Sequence, residues 1–304
     1  MSERLGPIVA GVDHSRASEA AVACAAAQAG RRHLPLLLVH GYLVPTPTLT
    51  PMPPLYDEHE LTASARMMLE AAVARTRSTH PDLVISTKIV AGSGGQALVA
   101  ESLTASLVVV GSRGAGGFLG VLVGSVAAQV GRHAHCPVLV VREPAAGSRP
   151  ATGRVVVGVD GSAQSTVALA FAFEEAQARG SALIAVHVWS VAQLSARSVG
   201  TVWSPNLLTA RSQLHEVAER VLVEALAGWP QKYPDVDVRS WTVHGDDPAR
   251  TLLSTADEID ADLLVVGSRG RDGLSGLVLG SVSQAVVTHA TGSVAVVHAG
   301  HQNG

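Results

Sequence analysis

Short apolar runs alternate along this chain with longer segments of helical period. Runs rich in Val, Leu and Ile predict strands that are covered on both faces, and in the first half of the chain they are residues 8–12, 36–39, 84–90, 107–110 and 138–141. The segments 15–30, 58–79 and 95–104 between them have the lengths of helices, and Ser15 and Gly30 predict the two ends of the first helix. Strands that alternate with helices predict an α/β fold with a parallel, doubly wound sheet.

The chain also repeats itself. The tripeptide Gly11-Val12-Asp13 returns as Gly158-Val159-Asp160, at an offset of 147 residues. The segment Gly111-Ser112-Arg113-Gly114 returns as Gly267-Ser268-Arg269-Gly270, and there the offset is 156 residues. The second copy is therefore 9 residues longer between the two motifs. We predict two tandem copies of one doubly wound domain, each with a five-stranded parallel sheet.

Two stretches with unusual composition fall between the predicted elements. Residues 142–153 contain two prolines and several small residues, which predicts a linker between a first domain at 1–143 and a second at 153–300. The proline-rich stretch 45–54 cannot be helix interior or central strand, so it predicts a loop before the second helix. The second copy lacks this loop.

Composition narrows the classes of protein. A chain of 304 residues that is 47% hydrophobic and 15% charged can bury a core in each of two domains. No apolar run approaches the roughly 18 residues of a membrane span, and the first strand starts too early for a signal peptide, so we expect a cytoplasmic protein. The two cysteines, Cys24 and Cys136, form no disulfide framework. A net charge of -3 provides no field that would attract nucleic acid or an anionic membrane.

The repeated motifs fall where a doubly wound sheet binds ligands, beyond the carboxyl ends of its strands. Asp13 and Asp160 close the first strand of each copy, and their carboxylates can accept hydrogen bonds from a ribose diol. After Gly114 nine residues lead to Gly124-Ser125, and the same spacing leads from Gly270 to Gly280-Ser281. Glycines let backbone approach a phosphate, and the N-terminus of the helix that follows favours an anion. Ser125 and Ser281 add hydroxyl donors.

With these motifs, and with Val-His at the end of the second strand and Cys136-Pro137 before the fifth, the chain resembles the tandem-domain, ATP-binding universal stress proteins. The resemblance implies that each sheet is of the adenine-nucleotide-binding type. It also implies that Asp13 and Asp160 hold ribose, that backbone near Val39 and Val186 contacts adenine, and that the glycine loops hold phosphates of ATP, with or without Mg²⁺. The residues expected to bind nucleotide are Gly11, Val12, Asp13, Val39, Gly111, Ser112, Arg113, Gly114, Gly124, Ser125 and Val126 in the first copy, and Gly158, Val159, Asp160, Val186, Gly267, Ser268, Arg269, Gly270, Gly280, Ser281 and Val282 in the second.

The second copy departs from the family pattern in two places. Gly292-Ser293 stands where the first copy has Cys136-Pro137, and Arg271-Asp272 replaces Ala115-Gly116 in the phosphate loop. The resemblance therefore supports the first site more strongly than the second.

Other roles for these residues stay open at this point. Asp13 could act only as a cap for the helix that follows it. Arg113 and Arg269 either neutralise phosphate or lie solvated on the loop. His133, His135 and Cys136 are a short set of metal ligands that becomes His289, Thr291 and Gly292 in the second copy, so we expect no metal site. For His40 and His187 we expect a polar packing role, and we assign no catalytic residue.

The resemblance implies regulation in stress or dormancy and no metabolic reaction. The rival is an ATP-dependent enzyme on the same fold, either a slow ATPase or a phosphotransferase, and a third possibility is an AMP-binding or non-nucleotide scaffold. No Gly-x-x-x-x-Gly-Lys-Ser/Thr loop exists, and the lysines of the chain, Lys88 and Lys232, are remote in sequence from both glycine loops. We therefore expect a binding protein and not an enzyme.

The final strands, residues 138–141 and 294–297, predict how the domains assemble. Each is an apolar strand at the end of its domain, which makes it a candidate sheet edge. In the family that the chain resembles, domains associate through this strand, which implies an intrachain pseudo-dimer of the two copies. We also expect a homodimer, because closed twofold assemblies are common.

Overall fold

The computed structural model describes residues 6–42, 58–114, 123–143, 153–190, 207–270 and 279–298. Several predicted features lie wholly or partly outside these ranges, namely the proline-rich loop 45–54, the linker 142–153 and the loop pairs Ala115-Gly116 and Arg271-Asp272. The chain divides into two compact units, with the division between Glu143 and Pro144.

In the first unit, strands and helices alternate as the apolar pattern predicts. The strands are β1 (Ile8–Gly11), β2 (Leu36–Tyr42), β3 (Ile85–Ala91), β4 (Leu107–Gly111) and β5 (Val138–Val141). The helices are α1 (Arg16–Arg32), α2 (Glu58–Thr79), α3 (Gly94–Glu101) and α4 (Ser125–His133). The strands pair in parallel in the order β3-β2-β1-β4-β5, which confirms the predicted doubly wound sheet.

The second unit repeats this architecture. Its strands are β6 (Arg154–Gly158), β7 (Ala182–Trp189), β8 (Val238–His244), β9 (Leu263–Gly267) and β10 (Ser293–Val297). Its helices are α5 (Ala163–Arg179), α6 (Leu207–Leu226), α7 (Trp229–Lys232), α8 (Pro248–Glu258) and α9 (Ser281–His289). These strands are also parallel, in the order β10-β9-β6-β7-β8.

The short helix α7 belongs to the residues that the second copy has gained. Between α2 and β3 the first unit has only a turn, whereas α7 lies between α6 and β8. Its Trp229 stacks on Phe173 of α5 with ring centroids 5.2 Å apart, and Tyr233 stacks on the same ring at 5.2 Å. The insertion is therefore anchored by aromatic packing on a fully buried phenylalanine.

Small residues bring α1 close to the sheet. Its buried face carries alanine at every fourth position, at Ala17, Ala21, Ala25 and Ala29. Since residues four apart lie on one face of a helix, these alanines form a stripe of small side chains. Helix α1 can therefore approach β1 and β4 closely. None of the described helices holds an apolar stretch of the length and character that crossing a membrane requires.

The prediction that the strand at 84–90 is covered on both faces is wrong. The structure places β3 at the end of the strand order of its unit, paired with β2. Ser86, Thr87 and Lys88 are exposed, and Val84, just before the strand, is 70% exposed. The polar residues in the middle of this run are the physical reason, because water can solvate them at a sheet edge and could not do so in its centre.

The predicted end of the first helix at Gly30 is also wrong. Ser15 is the N-cap as expected, since its Oγ accepts a hydrogen bond from the Ser18 N–H. Helix α1 continues to Arg32, and His33 takes the left-handed conformation, with φ 52° and ψ 39°. Its N–H donates to the carbonyls of Ala29 and Gly30, which closes the helix in the manner of a C-terminal cap. In the second unit Gly180 does the same, at φ 62°.

Candidate functional site

The first candidate site lies at the carboxyl ends of β1 and β4, which are neighbouring strands. Pairing with β2 continues one residue beyond β1, because the Val12 N–H donates to the Val39 carbonyl at 2.9 Å. Asp13 follows directly and leads into α1. The Val39 side chain is buried, so that only its backbone could contact a ligand, and its carbonyl already accepts this hydrogen bond.

The carboxylate of Asp13 braces the turn between β1 and α1. Its Oδ1 accepts from the Ser15 N–H at 2.8 Å and from the Ser15 hydroxyl at 2.5 Å. Because Ser15 is the N-cap residue, Asp13 is not itself the cap of α1. Its other oxygen, Oδ2, faces the glycine loop, since a Cβ added to Gly114 would lie 2.8 Å from it. The aspartate and the loop predicted from sequence are thus brought together.

Backbone hydrogen bonds hold the two ends of the glycine loop next to each other. The Gly124 N–H donates to the Ser112 carbonyl at 2.7 Å, and the Ser112 N–H donates to Val141 at the end of β5 at 2.8 Å. A Cβ on Gly124 would lie 3.4 Å from the Gly114 nitrogen. Gly124 is the N-cap of α4 and offers no side-chain cap, so the first N–H groups of this helix are suited to an anion. Ser125 and Val126 are exposed there.

The second unit reproduces this geometry closely. The Val159 N–H donates to the Val186 carbonyl at 2.8 Å, and the Gly280 N–H donates to the Ser268 carbonyl at 2.8 Å. A Cβ on Gly270 would lie 2.8 Å from Oδ2 of Asp160, the same distance as in the first unit. The Ser268 N–H donates to Val297 at 2.8 Å, while Ser281 is exposed at the start of α9 and Val282 is partly buried. The described residues of the second predicted site therefore have the same local geometry as those of the first.

Some of the predicted site glycines are needed for helix packing. A Cβ on Gly111 would lie 2.6 Å from the carbonyl carbon of Ala17, so this glycine lets α1 cross the end of β4. A Cβ on Gly11 would lie 2.9 Å from Cδ1 of Leu98 in α3, and one on Gly158 would lie 2.9 Å from Cδ2 of Leu252 in α8. Gly111 is therefore glycine for a steric reason that holds without any ligand, because its neighbour is backbone. At Gly11 and Gly158 the neighbour is the end of a leucine side chain, which can move.

The two histidines near the ends of β2 and β7, two residues before the last residue of each strand, have structural roles. Nδ1 of His40 is 2.8 Å from the Val12 carbonyl, and Nδ1 of His187 is 2.7 Å from the Val159 carbonyl. Because a carbonyl only accepts, Nδ1 carries the proton in each ring. Each histidine therefore fixes the backbone just before the aspartate of its site, which is the polar packing role that the sequence analysis expected.

An arginine that the sequence analysis did not select adds positive charge to the first site. Arg142 follows β5 directly, next to the strand end that carries Arg113, because Gly111 and Val141 are partners in the pairing of β4 with β5. Burial lowers the pKa of the Arg142 guanidinium, and the positive charge of Arg113 lowers it further. In the second unit Arg269 matches Arg113, but His298 stands where the first unit has Arg142. The signal in the sequence was the position of Arg142 directly after the final strand, where the second copy has His298.

The Cys136 thiol has no exposed, reactive character. It is buried at the start of β5, and its S–H lies 3.4 Å from the Pro137 carbonyl. Burial raises the pKa of this thiol to about 12, so it is protonated at neutral pH. Across the described ranges, no three His, Cys, Asp or Glu side chains are arranged to hold a metal ion.

Comparison with known proteins matches the duplication. The model of the universal stress protein family matches residues 5–142 and again residues 152–298. A universal stress protein of Mycobacterium tuberculosis strain H37Rv is 40% identical over 291 residues and covers 92% of each chain. One from Mycolicibacterium smegmatis is 36% identical over 296 residues, which are 95% of this chain and 96% of that protein. The crystal structure of a universal stress protein from Archaeoglobus fulgidus shares the fold, with a TM-score of 0.65 at 20% identity over 98% of this chain and 97% of the other.

The packing of α1 on β4 gives a prediction that needs no ligand. In Gly111→Ala the new methyl group meets the Ala17 backbone at 2.6 and 2.7 Å, whereas in Gly267→Ala it meets Gln164 at 3.1 to 3.2 Å. We expect Gly111→Ala to lower the free energy of unfolding by about 1–3 kcal/mol, as overpacking does, and Gly267→Ala to cost less. Urea unfolding followed by circular dichroism measures both. An equal loss in the two variants would contradict the packing difference between the units.

Proposed function

The chain belongs to the universal stress protein family, and from this membership and its two sites we propose that it binds ATP in each unit and regulates a response to stress or dormancy through nucleotide binding. The observation that carries the proposal is the repeated arrangement of an aspartate, a glycine loop and an uncapped helix N-terminus at one end of each sheet. Cytoplasmic location, the homodimer and the intrachain pseudo-dimer stay predictions from the sequence.

Each part of this arrangement suits one part of ATP. The carboxylates of Asp13 and Asp160, already held by hydrogen bonds from the serine two residues on, suit the ribose hydroxyls. The backbone of the glycine loops and the first N–H groups of α4 and α9 suit the phosphates. Mg²⁺, where present, would be carried mainly by the phosphate oxygens.

The charges around the sites favour binding over turnover. Phosphoryl transfer enzymes of the P-loop class place a lysine on the phosphates. Here Nζ of Lys88 is 2.6 Å from the Glu101 carboxylate, and Lys232 lies over the rings of Trp229 and Tyr233 at 5.3 and 5.2 Å. Both lysines of the chain thus make other contacts, and both are remote in sequence from the glycine loops.

The first test is calorimetry with Mg-ATP on the chain stripped of nucleotide. We expect two binding events, and we expect Gly114→Ala to remove the one in the first unit, since its methyl group would push the Asp13 carboxylate from its place. Gly270→Ala should remove the other for the same reason. The control is Gly30→Ala in α1, where the added methyl meets only His80, at 3.4 Å. Absence of both heat and thermal stabilisation at millimolar ATP would refute the function, and two sites in both loop variants would refute the assignment of the loops.

The second test concerns Arg142 and the phosphates. In a Gly270→Ala background, where only the first site titrates, Arg142→Gln should weaken ATP about tenfold, because a charge-assisted hydrogen bond to phosphate is lost. AMP should lose less, since it brings less charge. His298→Gln in a Gly114→Ala background is the matched control, and its effect on ATP should be smaller. If Arg142→Gln weakens ATP and AMP equally, the arginine supports the site only through its fold.

The third test separates binding from catalysis. Phosphate release by the purified chain with saturating Mg-ATP should be far below the roughly 10 per second that is typical of enzymes. Asp13→Ala and Asp160→Ala serve as controls, because both should lose nucleotide affinity. A rate of that order in the unaltered chain that disappears in these variants would show an ATP-dependent enzyme instead.

A further inference from the structure

A groove of about 430 Å³ lies in the second unit, away from the proposed phosphate loop. Within the part of the chain that the structure describes, it is lined by Trp189, Arg211, Ser212, His215, Thr242 and His244. Trp189 ends β7 and His244 ends β8, and the two residues are direct partners in the parallel pairing of these strands. Asp160 follows β6 and the glycine loop follows β9, whereas the groove lies at the ends of β7 and β8. It therefore lies beside the predicted nucleotide site, since Val186 of β7 is three residues before Trp189.

Aromatic rings form one wall of this groove. The Trp189 indole packs against the His244 ring in an edge-to-face manner at 4.8 Å, and against the His215 ring at 5.8 Å. Trp189 is only 4% exposed, and its indole N–H has no hydrogen-bond partner among the described residues. A buried donor without an acceptor is destabilising, and buried tryptophans usually satisfy it. The groove therefore has an aromatic wall with an unused donor.

The other polar side chains of the groove can also donate hydrogen bonds, and the hydroxyls and imidazoles among them can accept hydrogen bonds as well. His215 is held in place, with Nε2 3.3 Å from the Glu219 carboxylate and Nδ1 3.4 Å from the Thr242 hydroxyl. Arg211 and Ser212 are exposed on the same helix, α6. No carboxylate occurs among the described lining residues, so the groove suits a ligand that brings acceptors and negative charge.

The first unit supplies an internal comparison. By strand register, its counterparts of Trp189 and His244 are Tyr42 and Ala91, which are likewise partners in the pairing of β2 with β3. Thr242 corresponds to Ile89. At these register positions the first unit keeps one aromatic ring, that of Tyr42, but lacks counterparts of the His244 ring and the Thr242 hydroxyl.

We propose that this groove binds a small aromatic carboxylate. The ring of the ligand would lie against Trp189 and the two histidines, and its carboxylate would accept hydrogen bonds from Arg211 and from the indole N–H. A guanidinium matches the two oxygens of a carboxylate. The volume falls within the range of small-molecule sites. The indole nitrogen is shielded in the structure, so its hydrogen bond to the ligand requires side chains of the groove to move.

The test uses the full chain and a pair of probes, 2-naphthoate and its neutral amide 2-naphthamide, in a ligand-observed NMR titration. We expect the carboxylate to bind about tenfold more tightly than the amide, and Arg211→Gln and Trp189→Phe each to weaken it about tenfold, through loss of a hydrogen bond to a charged group. Arg211 is exposed, so its substitution leaves the core intact.

Two matched controls should leave the binding of 2-naphthoate unchanged. Trp241→Phe alters a neighbouring tryptophan of β8 that is outside the groove lining, and Tyr42→Phe alters the counterpart of Trp189 in the first unit. ATP binding is measured on the same variants and should not change. The proposal for the groove and the proposal for the nucleotide sites are therefore tested independently. No binding of 2-naphthoate at millimolar concentration, equal binding of the amide, or binding that neither groove variant alters would overturn the proposal.

Discussion

The close approach of the first helix of each unit to the end of the central strands is the constraint on which the candidate sites depend. In the first unit α1 crosses β4 at Gly111, where any side chain would collide with the Ala17 backbone. That crossing fixes the start of α1, and Ser15 as its N-cap then fixes the Asp13 carboxylate through two hydrogen bonds. The aspartate meets Gly114 because both the helix and the loop leave the sheet at the same edge.

The two units differ less in the backbone geometry of their sites than in the charged side chains around them. The lengths of the backbone hydrogen bonds that close the loops differ by at most 0.1 Å between the units. Arg142 of the first unit, however, corresponds to His298 in the second, and the guanidinium of Arg142 is near enough to Arg113 for its pKa to be lowered. Two sites of one shape can thus differ in the negative charge that they favour, because shape comes from backbone and charge comes from single side chains.

The groove in the second unit shows the same principle at another edge of the sheet. Trp189 and His244 occupy register positions that hold Tyr42 and Ala91 in the first unit. A doubly wound sheet tolerates such changes, since the ends of its strands carry little of the core. The buried valines and leucines of β6 and β9 hold the fold, while residues at the strand ends are free to acquire a new chemistry.

The sequence by itself determined the fold class, the duplication and the positions of the site motifs. Continuous runs of Val, Leu and Ile predict buried strands from the hydrophobic pattern of the segment alone. The spacing from Gly114 to Gly124 and its recurrence from Gly270 to Gly280 can be read directly from the sequence. Only the tertiary structure decided that β3 is exposed, that α1 ends at Arg32 with His33 as its C-cap, and that Gly111 is a packing residue. It also placed Arg142 beside Arg113 and left the Trp189 indole N–H without an acceptor in the described chain. These features depend on neighbours that are distant in sequence, and the periodicity of a single segment carries no information about them.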